Sequence, residues 1–347
     1  MVAARSWLWG TVALSAGAFA LAIALAPASS ASPGRGLAWV LFVASSGHVA
    51  STAWAYALPD VRAHVAGHPW RYAVVPAILV LATAALAVAL PSRGMAWLLL
   101  PYFGWQFFHF QKQNLGMAAL AASSSGVPGL SRPERHAILA AGWAGIAGLM
   151  MRPSLLQVEV DPHLGAVFPG CAIGYAIAAI TGVGLFLRRP RPARPAGLAV
   201  SYLMALLFFL PVFVFTSPYA AVGGLTIAHG AQYLLLMSHL AWAGGTVEGS
   251  TVGGSTVGGS SAGISRALRI AVLVNIVLIG GTALQVGSHV DASAGVVRSF
   301  YGAYLGVVMA HFVVDAGLWR LRDAFPRRFL AGRVPYLVRP AMDREAI

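Results

Sequence analysis

Ten long runs of apolar side chains alternate with short polar loops along this 347-residue sequence. A hydrocarbon core about 30 Å thick is crossed by roughly 20 helical residues, and only helices or closed barrels satisfy their backbone hydrogen bonds there. Only 10% of the residues are charged, whereas soluble domains carry roughly 25%. The sequence therefore predicts an all-α, polytopic membrane bundle with about ten transmembrane helices. The predicted spans are 7–28, 37–59, 70–90, 95–120, 136–151, 164–187, 196–215, 218–243, 267–286 and 297–319.

The arginines are distributed unequally between the two sides of this bundle. Eighteen of the 22 arginines fall in alternate loops and at both termini, and the other four are Arg35, Arg93, Arg152 and Arg298. Basic residues accumulate in cytoplasmic loops, so we predict that both termini are cytoplasmic. Membrane lipids are the expected partners of these arginines. A nucleic-acid partner is not expected, because such a protein gathers its cations on one patch. We expect a multi-pass protein of a bacterial-type cytoplasmic (inner) membrane.

One transmembrane domain is predicted to occupy residues 1–320. Within it, 244–265 is expected to be a flexible, cytoplasmic loop rich in Gly, Ser and Thr. After it, 321–347 is expected to be a basic cytoplasmic tail. The first span could be a signal peptide. Its apolar core of about twenty residues exceeds the usual 7 to 15, which favours a retained anchor.

Four histidines lie near the midpoints of four different predicted spans: His48, His109, His229 and His311. Ionisable groups in hydrocarbon are costly, face the bundle interior and usually serve a function. Neutral imidazole is the commonest protein metal ligand, and four of them can surround one ion. We therefore predict a metal site, with Fe(II) favoured. Nitrogen ligation alone leaves copper and zinc open, and the single cysteine, Cys171, excludes a cysteine cluster.

Each of these histidines is followed, one helical turn later, by a polar residue. A ligating histidine normally donates its second N–H to such a group. We predict supporting hydrogen bonds from Thr52, Gln113, Gln232 and His239, and catalytic roles for Asp315, Lys112 and Tyr233. Asp315 is the one carboxylate within the spans and Lys112 is the one lysine of the chain. Asp315 is expected to orient His311 or to pair with Lys112.

The remaining five histidines fall in loops or at span ends: His64, His68, His136, His163 and His289. His64 and His68 are spaced i, i+4, which would place two ligands on one face of a helix. The segment follows Pro59-Asp60 and precedes Pro69, and no second His pair with a carboxylate accompanies it. We therefore interpret it as an interfacial turn and the other three as surface residues.

Two short motifs occur in this polytopic chain with dispersed intramembrane histidines: His-Gly-Ala at His229 to Ala231, and the aromatic-flanked Phe108-His109-Phe110. With these motifs the chain resembles the Brp/Blh family of membrane-embedded carotene dioxygenases. The resemblance covers the four histidine helices. This sequence differs from the family after His-Gly-Ala, where Gln232 and Tyr233 follow and the family has an acidic residue. The resemblance implies histidine-held iron and oxidative cleavage of a lipid-soluble polyene.

Three classes of function remain open from the sequence. The favoured one is an oxidoreductase, a non-haem iron mono- or dioxygenase that takes O2 and a lipophilic substrate such as a carotenoid, another isoprenoid or a lipid. The second is a proton- or metal-ion-coupled transporter, although the histidines share one depth instead of tracing a path. The third is a haem-binding electron carrier, which would need paired axial ligands. The same histidines could also serve only as structural hydrogen-bond donors, and the sequence identifies no protein partner.

Overall fold

The computed structural model describes residues 2–27, 32–160, 165–243, 266–289 and 295–338. It is 85% helical, and the described residues include no β-strand. Helix is present in all ten predicted spans. The predicted flexible loop 244–265 and the tail residues 339–347 lie outside the described residues. The helices are α1 (Val2–Leu25), α2 (Arg35–Ala55), α3 (Pro59–Ala66), α4 (Trp70–Ala89), α5 (Ser92–Ser124), α6 (Arg132–Met151), α7 (Gly165–Leu187), α8 (Ala196–Leu207), α9 (Leu210–Val214), α10 (Tyr219–Ala243), α11 (Arg266–Ser288), α12 (Arg298–Leu318) and α13 (Ala324–Arg333).

Seven of these helices are long and apolar enough to cross a membrane: α1, α2, α4, α7, α10, α11 and α12. They indicate a multi-pass membrane protein. Their outward faces remain apolar, as on α7, where Ile173, Ile177 and Ile180 are all exposed. Such a stripe would be unfavourable in water, and lipid is its natural surrounding.

Two of the other predicted spans differ from these seven, one by its buried polar residues and the other by a break in the helix. Helix α5 runs for 33 residues but includes buried polar side chains, among them Gln111 and Asn114. The seventh span is divided into α8 and α9, with Pro211 at the start of α9. Proline has no N–H to bond to the carbonyl four residues earlier, so the helix is interrupted there.

Close backbone contacts through glycine hold the bundle together. On α12, Gly302 and Gly306 lie directly against the α4 backbone at Thr83 and Val80. Without a hydrophobic driving force between helices in lipid, such close packing is the main source of association. A different, local interaction fixes the first turn of α6, which begins with a capping box formed by Ser131 and Glu134.

The chain end folds back onto the bundle. Phe329 and Leu330 of α13 are buried in the main core, and Arg333 forms an ion pair with Asp60 of α3, with 3.0 Å between Nη2 and Oδ2. The first half of the predicted basic tail is therefore a packed element.

Candidate metal centre

Four helices bring their midpoint histidines together. His48 of α2, His109 of α5, His229 of α10 and His311 of α12 form a closed cycle of edge-to-face rings. Ring centroids are 4.8 Å apart for His48 and His229, and 5.0 Å for His229 and His109. The cycle closes with 5.3 Å between His109 and His311 and 5.1 Å between His311 and His48. His48, His229 and His311 are buried, while the His109 side chain is 11% exposed.

The ligand atoms are close enough to share one ion. His48, His229 and His311 each offer a ring nitrogen within 4.8 Å of the other two. A second set, within the same limit, consists of His109, His311 and Asp315. The two sets share His311, so they lie side by side in the same histidine cycle.

Most of the ring nitrogens have no hydrogen-bond partner. Six of the eight are buried and unpaired: both nitrogens of His48, both of His229, and Nε2 of His109 and of His311. The backbone of Ala44 and Ser45 approaches the His48 ring, but not at a geometry that makes a hydrogen bond. Each buried polar atom left unpaired costs about 1–3 kcal/mol. Six of them on four neighbouring rings indicate a site where a cation could engage one nitrogen of each ring.

Local backbone geometry aims these rings at each other. A π-helical segment, Val43–Gly47, ends immediately before His48, and such segments occur frequently at functional sites because they rotate the side chains that follow. On the facing helix, Gly230 follows His229 directly and a Cβ there would overlap the carbonyl of Ala44. The two backbones can touch only because position 230 has no side chain.

A chain of hydrogen bonds orients His311. Its Nδ1 lies 2.6 Å from the Thr52 hydroxyl, which lies 2.9 Å from the Tyr233 hydroxyl, and Tyr233 donates to Oδ1 of Asp315 at 3.0 Å. If Nδ1 of His311 carries the ring proton, every hydroxyl in this chain donates once and accepts once. The unprotonated Nε2 then faces the site, which is the form that binds a metal.

Asp315 has one oxygen engaged and one directed to the histidines. Its Oδ1 accepts from Tyr233 and, at 3.2 Å, from the indole N–H of Trp319. Its Oδ2 lies 3.4 Å from Nε2 of His311 and 3.8 Å from Nε2 of His109. These distances exceed ordinary hydrogen bonds. Asp315 therefore lies beside His311, as expected, but the hydrogen bond that orients the His311 ring comes from Thr52.

Two glutamines support the α10 backbone and do not contact an imidazole. Gln113 donates to the His229 carbonyl at 2.9 Å and to Gln232 at 3.0 Å. Gln232 in turn donates to Ser15 of α1 at 2.9 Å. They therefore position His229 through its main chain, whereas the sequence-based expectation was a hydrogen bond to the ring.

Two further predicted contacts are wrong, and a third is made to a different histidine. Lys112 does not pair with Asp315, since it is exposed and points outward, 6.0 Å from the centre of the Phe108 ring. It lies 60° around the helix from His109, at the edge of the inward face. His239 does not support the cluster, because its Nδ1 pairs with the Tyr336 hydroxyl at 2.6 Å. Thr52, one turn after His48, contacts His311 on another helix.

The histidines outside the spans form no metal site with the described residues. His64 stacks on Phe325 with ring centroids 3.9 Å apart, and His68 bonds to the His64 carbonyl. This segment belongs to the short helix α3 and the turn after it, where an interfacial turn was expected. His136 and His289 are exposed as predicted, and His163 lies outside the described residues.

Sequence reasoning missed three aromatic residues at the site. Trp319 bonds to Asp315 and stands one turn after it, so the same i+4 rule would have found it. Phe110 stacks on His229 with ring centroids 3.9 Å apart, and Phe312 stacks on His109 with ring centroids 4.6 Å apart. Each of these two directly follows a histidine in the chain, but which ring it covers depends on helix packing.

Comparison of the chain with protein-family models, with curated proteins and with solved structures gives no match.

Proposed function

We propose that this chain is a membrane-embedded non-haem iron oxygenase in which His48, His109, His229 and His311 bind one metal ion. The observation that carries the proposal is the set of six buried, unpaired ring nitrogens in one closed cycle. A cluster of neutral imidazoles without partners would destabilise the fold, because each lost hydrogen bond has a cost. A bound cation removes that cost for the nitrogens it engages.

The donor set fits a non-haem iron ion better than a haem group. Imidazole suits iron, copper and zinc, and an adjacent carboxylate is a feature of non-haem iron sites with open positions. Asp315 provides that carboxylate beside His109 and His311. A haem needs two ligands on opposite sides of a flat macrocycle, whereas these four rings surround one small space. Copper and zinc remain chemically compatible with the same donors.

Iron held here would supply oxygen activation. The protein's own residues orient the ligands and exclude water from them. Thr52 fixes the His311 ring, and Tyr233 and Trp319 hold Asp315. The rings of Phe110 and Phe312 cover the cluster with apolar surface. This shell limits the access of water, which would compete for the site.

The position of the cluster favours a lipophilic substrate. Each histidine stands within about three residues, or ~4.5 Å, of its span's midpoint, so the site lies near the bilayer centre if these helices cross fully. We propose ten crossings with both termini cytoplasmic, in which α5, α6 and the α8–α9 pair join the seven apolar helices. Molecules dissolved in the bilayer, namely carotenoids, other isoprenoids and lipids, would reach such a site together with O2.

Metal analysis of the purified protein tests the proposal. We expect about one non-haem iron per chain in detergent-purified wild type, and loss of iron in His48→Ala, His109→Ala, His229→Ala and His311→Ala. The matched control is His136→Ala, which removes an exposed histidine and should retain iron. The absorption spectrum should contain no Soret band.

Two results would contradict the proposal. Folded wild type that stays metal-free after expression with added iron would exclude the metal site and favour ion transport. Retention of iron in all four variants would place the metal elsewhere in the chain.

A further inference from the structure

The exposed side of α5 presents aromatic rings and a lysine in one line. Trp105, Phe108 and Lys112 are spaced i, i+3 and i+7, so they lie on one helix face. Trp105 and Lys112 are exposed, and Phe108 is partly exposed and stacks on Trp143 of α6, with centroids 4.8 Å apart. We call Trp105, Phe108 and Lys112 the α5 stripe.

The α5 stripe adjoins the histidine cluster. His109 is next to Phe108 in sequence and is the most exposed histidine of the cluster, with 11% of its side chain accessible. Phe312 lies between the stripe and the cluster, since it stacks on His109 and contacts Trp105 with centroids 5.8 Å apart. The stripe therefore lies beside the most exposed member of the cluster.

Positive charge prevails at the polar end of the stripe. Lys112 forms no ion pair with a carboxylate among the described residues, and the arginines that act on it electrostatically are Arg135, Arg320 and Arg322. The nearby carboxylate of Asp323 is engaged by two of them, at 2.7 Å from Arg320 and 3.9 Å from Arg322. An exposed lysine in such an environment is complementary to an anionic group.

Building on the proposed function, we propose that the α5 stripe binds one anionic phospholipid of the surrounding membrane as substrate. The phosphate binds Lys112 and Arg135, and one acyl chain lies along Phe108 and Trp105 beside His109. Lys112 and His109 are three residues apart, a rise of about 4.5 Å. The long lysine side chain can reach from there toward the membrane surface, while the acyl chain continues inward past His109.

Spin-labelled lipids test this binding site. Full-length protein is reconstituted in phosphatidylcholine bilayers, and electron paramagnetic resonance measures the immobilised fraction of acyl-labelled phosphatidylglycerol, phosphatidylcholine and stearate. Wild type should immobilise about one phosphatidylglycerol per chain with a clear preference over phosphatidylcholine. Lys112→Gln should lower this preference about fivefold, as expected for ~1 kcal/mol per cation at an anionic lipid. Arg135→Gln should act in the same direction.

The control is Arg93→Gln, which removes an exposed cation at the other end of α5 and should leave the preference unchanged. No change in Lys112→Gln, an equal loss in Arg93→Gln, or stronger immobilisation of stearate than of phosphatidylglycerol would each overturn the proposal. Iron is measured on the same samples and should be unchanged in Lys112→Gln. Metal-free wild type that still prefers phosphatidylglycerol would retain the lipid site and reject the proposed oxygenase.

Discussion

Thr52 connects two helices through a single hydroxyl. It lies 2.6 Å from His311 of α12 and 2.9 Å from Tyr233 of α10, although it belongs to α2. A hydroxyl that accepts from one partner and donates to another sets the tautomer of the imidazole. Substitution of groups of this kind, which do not touch the metal, typically lowers metal affinity by about 10- to 100-fold.

We expect Thr52→Val to weaken metal binding by about 10- to 100-fold while the protein remains folded, because valine keeps the shape and removes the hydroxyl. Competition with a chelator measures the affinity. The control is Thr11→Val, in which the lost hydroxyl bonds only to the Trp7 carbonyl within α1. Equal affinity in Thr52→Val and wild type would show that Thr52 does not orient His311.

Helices α2 and α10 touch backbone to backbone at Gly230 and Ala44. This contact sets the separation of His48 and His229, whose ring centroids are 4.8 Å apart. Protein interiors are close-packed, so an added methyl group must push the two helices apart. Metal geometry and helix packing are therefore coupled at one glycine.

We expect Gly230→Ala to lower the free energy of unfolding by about 1–3 kcal/mol, the usual cost of overpacking, and to reduce the iron content. Thermal unfolding in detergent and metal analysis measure the two effects. In Gly174→Ala on α7 the new Cβ meets no atom within 4 Å, and this control should behave as wild type. If Gly230→Ala kept both its stability and its iron, the close approach of α2 and α10 would be unnecessary.

At the scale of the whole molecule, arginine distribution and helix count predict the same topology. Eighteen arginines lie on one predicted side and four on the other. An even number of crossings is required for both termini to share that side. The predicted orientation would account for the charge of +13 without an anionic macromolecule as a partner.

We expect a fluorescent-protein fusion at the C-terminus to be bright and an alkaline phosphatase fusion there to be inactive, because both report a cytoplasmic location. A truncated phosphatase fusion after Leu90, which follows three crossings, should be active and serves as the control. If the Leu90 fusion is active, an active phosphatase at the C-terminus as well would mean an odd number of crossings.

The sequence by itself determined that helix occupies the ten apolar runs and that four histidines lie near their midpoints, because apolar runs and intramembrane ionisable groups are local features of the chain. Tertiary structure decided that α3 and α13 are helices, and it decided which polar groups meet. The i+4 rule assigned Thr52 to His48, and a similar depth placed Lys112 near Asp315, but contacts between helices depend on rotation about each axis. The π-helical segment before His48 and the glycine contact at Gly230 set that rotation for α2 and α10. Neither has a signature in the spacing of apolar residues, so only the packed bundle could pair Thr52 with His311 and turn Lys112 outward.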